Sequence, residues 1–108
     1  MKAFLMMVAA AGTLLVATQA GAVDAAAAQA LAQKSGCLAC HNADKKIIGP
    51  AYKDIAAKYK GQKDAEAKLI DKVKKGGSGV WGPMPMTPNS PQVKDEDIKT
   101  LVEWVLSM

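Results

Sequence analysis

The residues best suited to chemistry in this 108-residue chain stand side by side in one short stretch, Gly36-Cys37-Leu38-Ala39-Cys40-His41, which holds both cysteines and the sole histidine. Three chemistries use such a set: a redox-active disulfide, a metal ion, or a haem held by covalent bonds. A C-x-x-C redox pair of the thioredoxin kind needs a βαβ frame around it, and no such alternation is legible here. Structural zinc takes four ligands. Two thiolates and His41 supply three, and the adjacent Cys40 and His41 project in different directions. The haem reading uses every member. Two thiols separated by two residues add to the two vinyl groups along one porphyrin edge, and the imidazole that follows reaches the iron beneath the ring.

With His41 on one side of such an iron, no second histidine exists to close the other. A methionine thioether is the remaining donor, and it raises the reduction potential relative to an imidazole. Met108 is C-terminal. Met84 and Met86 lie in Gly76–Val93, "GGSGVWGPMPMTPNSPQV", which carries four glycines and four of the five prolines. Pro83, Pro85, Pro88 and Pro91 exclude a regular helix. So long a connector in a compact domain is functional or disordered, and its Trp and Met content argues for function. Spacing alone does not choose between Met84 and Met86.

Four helical segments must position these groups, and no strand pattern is legible. The first spans Asp24–Lys34, with Asp24 as N-cap and Gly36 ending it. The second spans Ala51–Lys60, where Tyr52, Ile55, Ala56 and Tyr59 share one face. The third follows Asp64 as cap, stops at Gly76-Gly77, and turns Ala65, Leu69, Ile70 and Val73 inward. The fourth starts with acids in its first turn, which suits the helix dipole, and buries Ile98, Leu101, Val102, Val105 and Leu106, with Trp104 beside them. The pattern predicts a small all-α domain of about four helices wrapped around one covalently attached haem.

The N-terminus reads as a leader. Lys2 precedes an apolar run over Ala3–Ala17, and Ala20-Gly21-Ala22 follows, the order of a cleavable secretory signal peptide. The run is shorter than the ~20 residues needed to span a bilayer. The expected division is a cleaved signal peptide, 1–22, and one domain, 23–108, placed in the periplasm. Cleavage removes Phe4, the only Phe, and leaves Tyr52, Tyr59, Trp81 and Trp104 as aromatics. A domain this small and this poor in large side chains needs a cofactor to complete its core. All basic residues are lysine, 13 beyond residue 22 against 10 acids. The absence of arginine and the expected compartment argue against nucleic acid. The lysines crowded between Lys53 and Lys75 form either a solvated surface or a rim that steers an acidic partner.

Taken together, "GCLACH", "GPAYKDIAAKY", "GVWGPMPMTPN" and "WVLSM" resemble the small bacterial class I cytochromes c of the cytochrome c-551 type, without gaps from about Ala30 to Ser107. The resemblance implies the class I cytochrome c fold and a haem c joined through Cys37 and Cys40. It implies His41 and Met86 as iron ligands, with Met84 packing at the haem edge. Pro50 matches the residue whose carbonyl accepts from the axial histidine, Asn89 one that hydrogen-bonds near the methionine sulfur, and Trp81 and Lys72 groups that hold a propionate. Two positions depart from the family pattern: Lys72 stands where Arg is frequent, and Ala32 where an aromatic is usual, which implies looser packing against the last helix. The implied function is that of a monomeric one-electron carrier, not an enzyme. It would dock transiently with redox partners such as a quinol-oxidising complex, a nitrite reductase, a terminal oxidase or a peroxidase. The alternative is a haem enzyme or gas sensor with an open sixth position.

Overall fold

In the computed structural model, which describes residues 24–108, the chain forms four helices and one short hairpin. The expected leader lies outside the described residues. Helix α1 spans Ala25–Lys34, α2 Tyr52–Tyr59, α3 Ala65–Lys75 and α4 Asp95–Leu106. A 3₁₀ turn over Cys37–Ala39 follows α1.

The start of α1 is set by Asp24, whose carboxylate accepts from the backbone N–H groups of Ala26 (3.0 Å) and Ala27 (3.3 Å). This satisfies two of the donors that a helix start leaves without partners. The cap expected at the start of α3 takes another form. Asp64 makes no capping bond to the backbone, and its carboxylate pairs with Lys68 one turn on, at 3.0 Å. That ammonium holds the Asp64 carboxyl below its ordinary value.

The core is built on α4. Ile98, Leu101, Val102, Trp104 and Val105 are buried along it, and Ile98 is sealed completely. Burying an isoleucine of that kind contributes about 1.5–3 kcal/mol. Ala28 and Ala32 of α1 are likewise sealed and share one cluster with Tyr52, Leu101, Trp104 and Val105. Despite the missing aromatic, Ala32 is sealed within this cluster, in which the Trp104 ring meets Tyr52 edge-on at 5.5 Å. Helix α3 buries only Ala65 fully; Leu69, Ile70 and Val73 are half-buried.

The proline-rich segment departs from the strand-free expectation. Gly77–Gly79 (β1) and Gly82–Met86 (β2) pair antiparallel, with Gly77 opposite Met86 and Gly79 opposite Gly82. Pro83 and Pro85 are tolerated because β2 has a partner on one side only. At Gly76 the backbone is left-handed (φ +70°), and a Cβ would fall 2.3 Å from the Met86 carbonyl oxygen. Glycine is required there for α3 to turn into the hairpin. Among the described residues, no helix is long and apolar enough to cross a membrane.

Candidate haem site

The 3₁₀ turn that carries Cys37 is held by the chain on either side. The N–H groups of Cys40 and His41 both donate to the Cys37 carbonyl, at 3.2 and 3.0 Å. The loop after His41 then folds back over it, with Gly49 N–H donating to the Cys40 carbonyl (2.8 Å) and Tyr52 N–H to that of Asn42 (3.0 Å). This return brings the Pro50 carbonyl to 2.7 Å from His41 Nδ1. A carbonyl only accepts, so Nδ1 carries the proton and Nε2 keeps its lone pair for a metal. Such a bond also fixes the ring's orientation and raises its basicity as a ligand.

Two further contacts hold the buried His41 ring. Tyr52 stacks on it at 5.2 Å with 21° between the planes. Gly49 lies so close that a Cβ would stand 2.5 Å from His41 Cε1. Tyr52 also reaches Cys37 with its hydroxyl, and burial pushes the Tyr52 ionisation well above its usual range. Sequence reasoning placed Tyr52 in the core face of α2 and missed this role. Its position two residues after Pro50 is the signal that could have shown it.

Cys37 and Cys40 are half-buried and not joined to each other. Burial pushes the Cys37 thiol up, opposite to the lowered thiol that a redox C-x-x-C motif uses. The two sulfurs and the imidazole do not converge on one point, and among the described residues no group of three or more His, Cys, Asp or Glu side chains could hold a metal ion. The motif presents its three groups along a surface.

That surface is one wall of a cleft of about 690 Å³. Cys37, Cys40, His41, Pro50, Lys72, Trp81, Met86 and Asn89 all line it, drawn from four separate stretches of the chain. Its apolar lining includes Ile48, Leu69, Val73, Leu101, Val102 and Val105, so α3 and α4 form a greasy wall. Met84 also borders the cleft but is 63% exposed, whereas Met86 is half-buried. The Asn89 side-chain amide donates to the carbonyls of Val73 (3.1 Å) and Thr87 (3.2 Å). The first bond ties the segment after Met86 to the end of α3, and the second holds that segment's own turn. Trp81 lies at the mouth under the Lys58 ammonium, 5.6 Å from the ring centre, a cation–π contact that sequence reasoning did not find.

A flat apolar group with two attachment points and one axial nitrogen fits these residues: the thiols stand side by side on the wall, the metal-ready Nε2 sits beside them, and the lining is hydrocarbon. The cytochrome c family model matches residues 25–108, and the chain belongs to that family. It is 50% identical over 103 residues to cytochrome c-551 of Pseudomonas aeruginosa, covering 95% of this chain and 93% of the relative. It is also 50% identical over 95 residues to cytochrome c-552 of Hydrogenobacter thermophilus, covering 88% and 95%. The crystal structure of wild-type cytochrome c552 from Nitrosomonas europaea superposes with a TM-score of 0.69 at 51% identity, covering 73% of this chain and 96% of that one. The fold is that of a class I cytochrome c, and the protein is a small monohaem cytochrome c with a covalently attached haem c.

Proposed function

We propose that the protein is a periplasmic one-electron carrier of respiration, its haem joined through Cys37 and Cys40 and its iron held between His41 and Met86. The observation that carries this reading is the 2.7 Å contact between His41 Nδ1 and the Pro50 carbonyl, which leaves Nε2 to coordinate. When bound, the haem supplies a reversible one-electron couple. The residues keep that couple closed to other chemistry. Tyr52 and Gly49 hold His41 in one orientation, and the α3–α4 wall excludes water. Asn89 keeps the Met86 segment against α3, and Trp81 and Lys72 offer an N–H and an ammonium of the kind a propionate takes. With His41 and Met86 both given to the iron, no position would remain for a substrate, which suits a carrier and not an enzyme.

Partners dock weakly and transiently as monomer to monomer, at the apolar mouth where Ile47, Ile48 and Val80 are half exposed, aided by nearby lysines. The leader-like N-terminus supports export, with residues 1–22 removed.

The optical spectrum of the exported protein tests this reading. The expected result is a low-spin haem c spectrum with the weak red band of methionine sulfur on ferric iron, abolished by Met86→Ala and retained in Met84→Ala. A band that survives Met86→Ala overturns the assignment, and carbon monoxide binding to the native reduced protein overturns the closed site.

A further inference from the structure

Away from the haem cleft, α3 and α4 meet across two carboxyl groups that electron carriage does not use. The Oε1 atom of Glu66 is sealed from solvent and has no hydrogen-bond partner. A buried carboxylate oxygen left that way costs free energy on the scale of a lost hydrogen bond or more. What stands against it from α4 is another acid: Glu103 lies within hydrogen-bonding reach of Glu66, with its own side chain only 30% exposed. The cations around the pair are few and peripheral. On α4, Lys99 approaches Glu103 no closer than 3.9 Å. Lys53 of α2 and Lys60 and Lys63 of the following turn line the groove beside Glu66, and none of the three bonds to it.

Two carboxylates at this separation cannot both be ionised cheaply in a partly desolvated site. A single proton relieves the repulsion, because one carboxyl then donates to the other, and it lessens the charge that Glu66 must carry beside its sealed oxygen. We infer that Glu66 and Glu103 share a proton in the folded protein and act as a pH-sensitive clasp between α3 and α4. In accord with this, the contact with Glu66 holds the Glu103 carboxyl above its ordinary value, with burial adding to it and Lys99 opposing it.

The sign follows from linkage. Glu103 binds its proton more tightly folded than unfolded, so its contribution to stability is complete below the ordinary glutamate range. It is lost as pH rises through the raised folded value. Every factor of ten by which folding tightens the hold on that proton is a tenfold loss of the folding equilibrium constant once it has left. Release converts a hydrogen bond into a repulsion between the two helices that also supply the cleft wall.

The test is denaturant unfolding of the haem-loaded protein from pH 4 to 8 for wild type, Glu103→Gln and Glu66→Gln. A glutamine at 103 donates to Glu66 at every pH. The expected result is that Glu103→Gln becomes more stable than wild type as pH rises, by severalfold or more in the folding constant at pH 7, with no such gain at pH 4. Equal pH profiles for Glu103→Gln and wild type overturn the clasp, as does a Glu103→Gln protein less stable at pH 7. If Glu103→Gln does not fold, the wild-type titration decides alone. A Glu103 carboxyl carbon shift that titrates above the ordinary glutamate range, and returns to it in Glu66→Gln, supports the clasp; an ordinary Glu103 titration in the wild type overturns it.

Discussion

Gly49 shows how narrowly His41 is held. Any larger residue there drives a Cβ into the ring edge, 2.5 Å from Cε1, well inside contact distance, and the loop or the ring must shift. Gly49→Ala is expected to cost about 2 kcal/mol, in the range for overpacked sites, and to raise the reduction potential, because a weaker Pro50 bond makes His41 a poorer donor to ferric iron. Denaturant unfolding and a potentiometric titration check the two effects separately. Asn89 is the second informative residue. Its amide serves two carbonyls at once, so Asn89→Ala should destabilise the fold by roughly 1–2 kcal/mol. It should also weaken the methionine band, since the segment it anchors carries Met86. The chemistry of Cys37, Cys40 and His41 is legible in the sequence because haem attachment depends on local spacing. The roles of Gly49 and Tyr52 are not, because they arise only when the chain after His41 folds back on it.

At the scale of elements, the four helices are readable because each carries an apolar face with the helical period, and their ends fall near caps or glycines. Asp24 is such a cap, and replacing it with alanine is expected to cost about 0.5–1 kcal/mol. That loss should appear as faster amide exchange confined to the first turn of α1. The hairpin is not readable. Gly77, Gly79 and Gly82 have no strand propensity, and β2 alternates proline with methionine without an apolar face; pairing is set by the turn that follows α3. Asp64 misleads for a related reason: Lys68 lies one turn away and competes for the carboxylate. The pairing of Glu66 with Glu103 is equally hidden, because residues 37 positions apart in sequence meet only through the packing of α3 on α4.

The molecule as a whole leans on one helix. Helix α4 contributes five of the buried side chains and packs against α1, α2 and α3, so its interior is the least forgiving region. Ile98→Ala is expected to lose about 2–5 kcal/mol, seen as a lower denaturation midpoint, with the haem spectrum intact under native conditions. The lysine-rich surface belongs to this scale too. Exposed pairs such as Lys53 with Asp44 and Lys75 with Asp71 add little stability. The role proposed for the excess of lysine is instead to steer an acidic partner from a distance. Electron transfer to an acidic partner should slow as ionic strength rises from ~10 to ~150 mM, where the screening length shrinks from ~30 to ~8 Å. A rate indifferent to salt would show that the lysines only keep the protein dissolved.

The tether between the hairpin's far end and α3 has a kinetic consequence. The last carbonyls of α3, on Val73 and Lys74, receive the N–H groups of Asn89 and Ser90, while Gly76 closes the other end against Met86. If Met86 holds the iron as proposed, its thioether has no independent way out: to swing clear, the segment would have to uncap α3 in the same movement. Displacement of the methionine by added imidazole and solvent exchange of the Gly76, Asn89 and Ser90 amides should share one opening rate and one temperature dependence. The lifetime of the iron–sulfur bond would then be written in the fraying of a helix end.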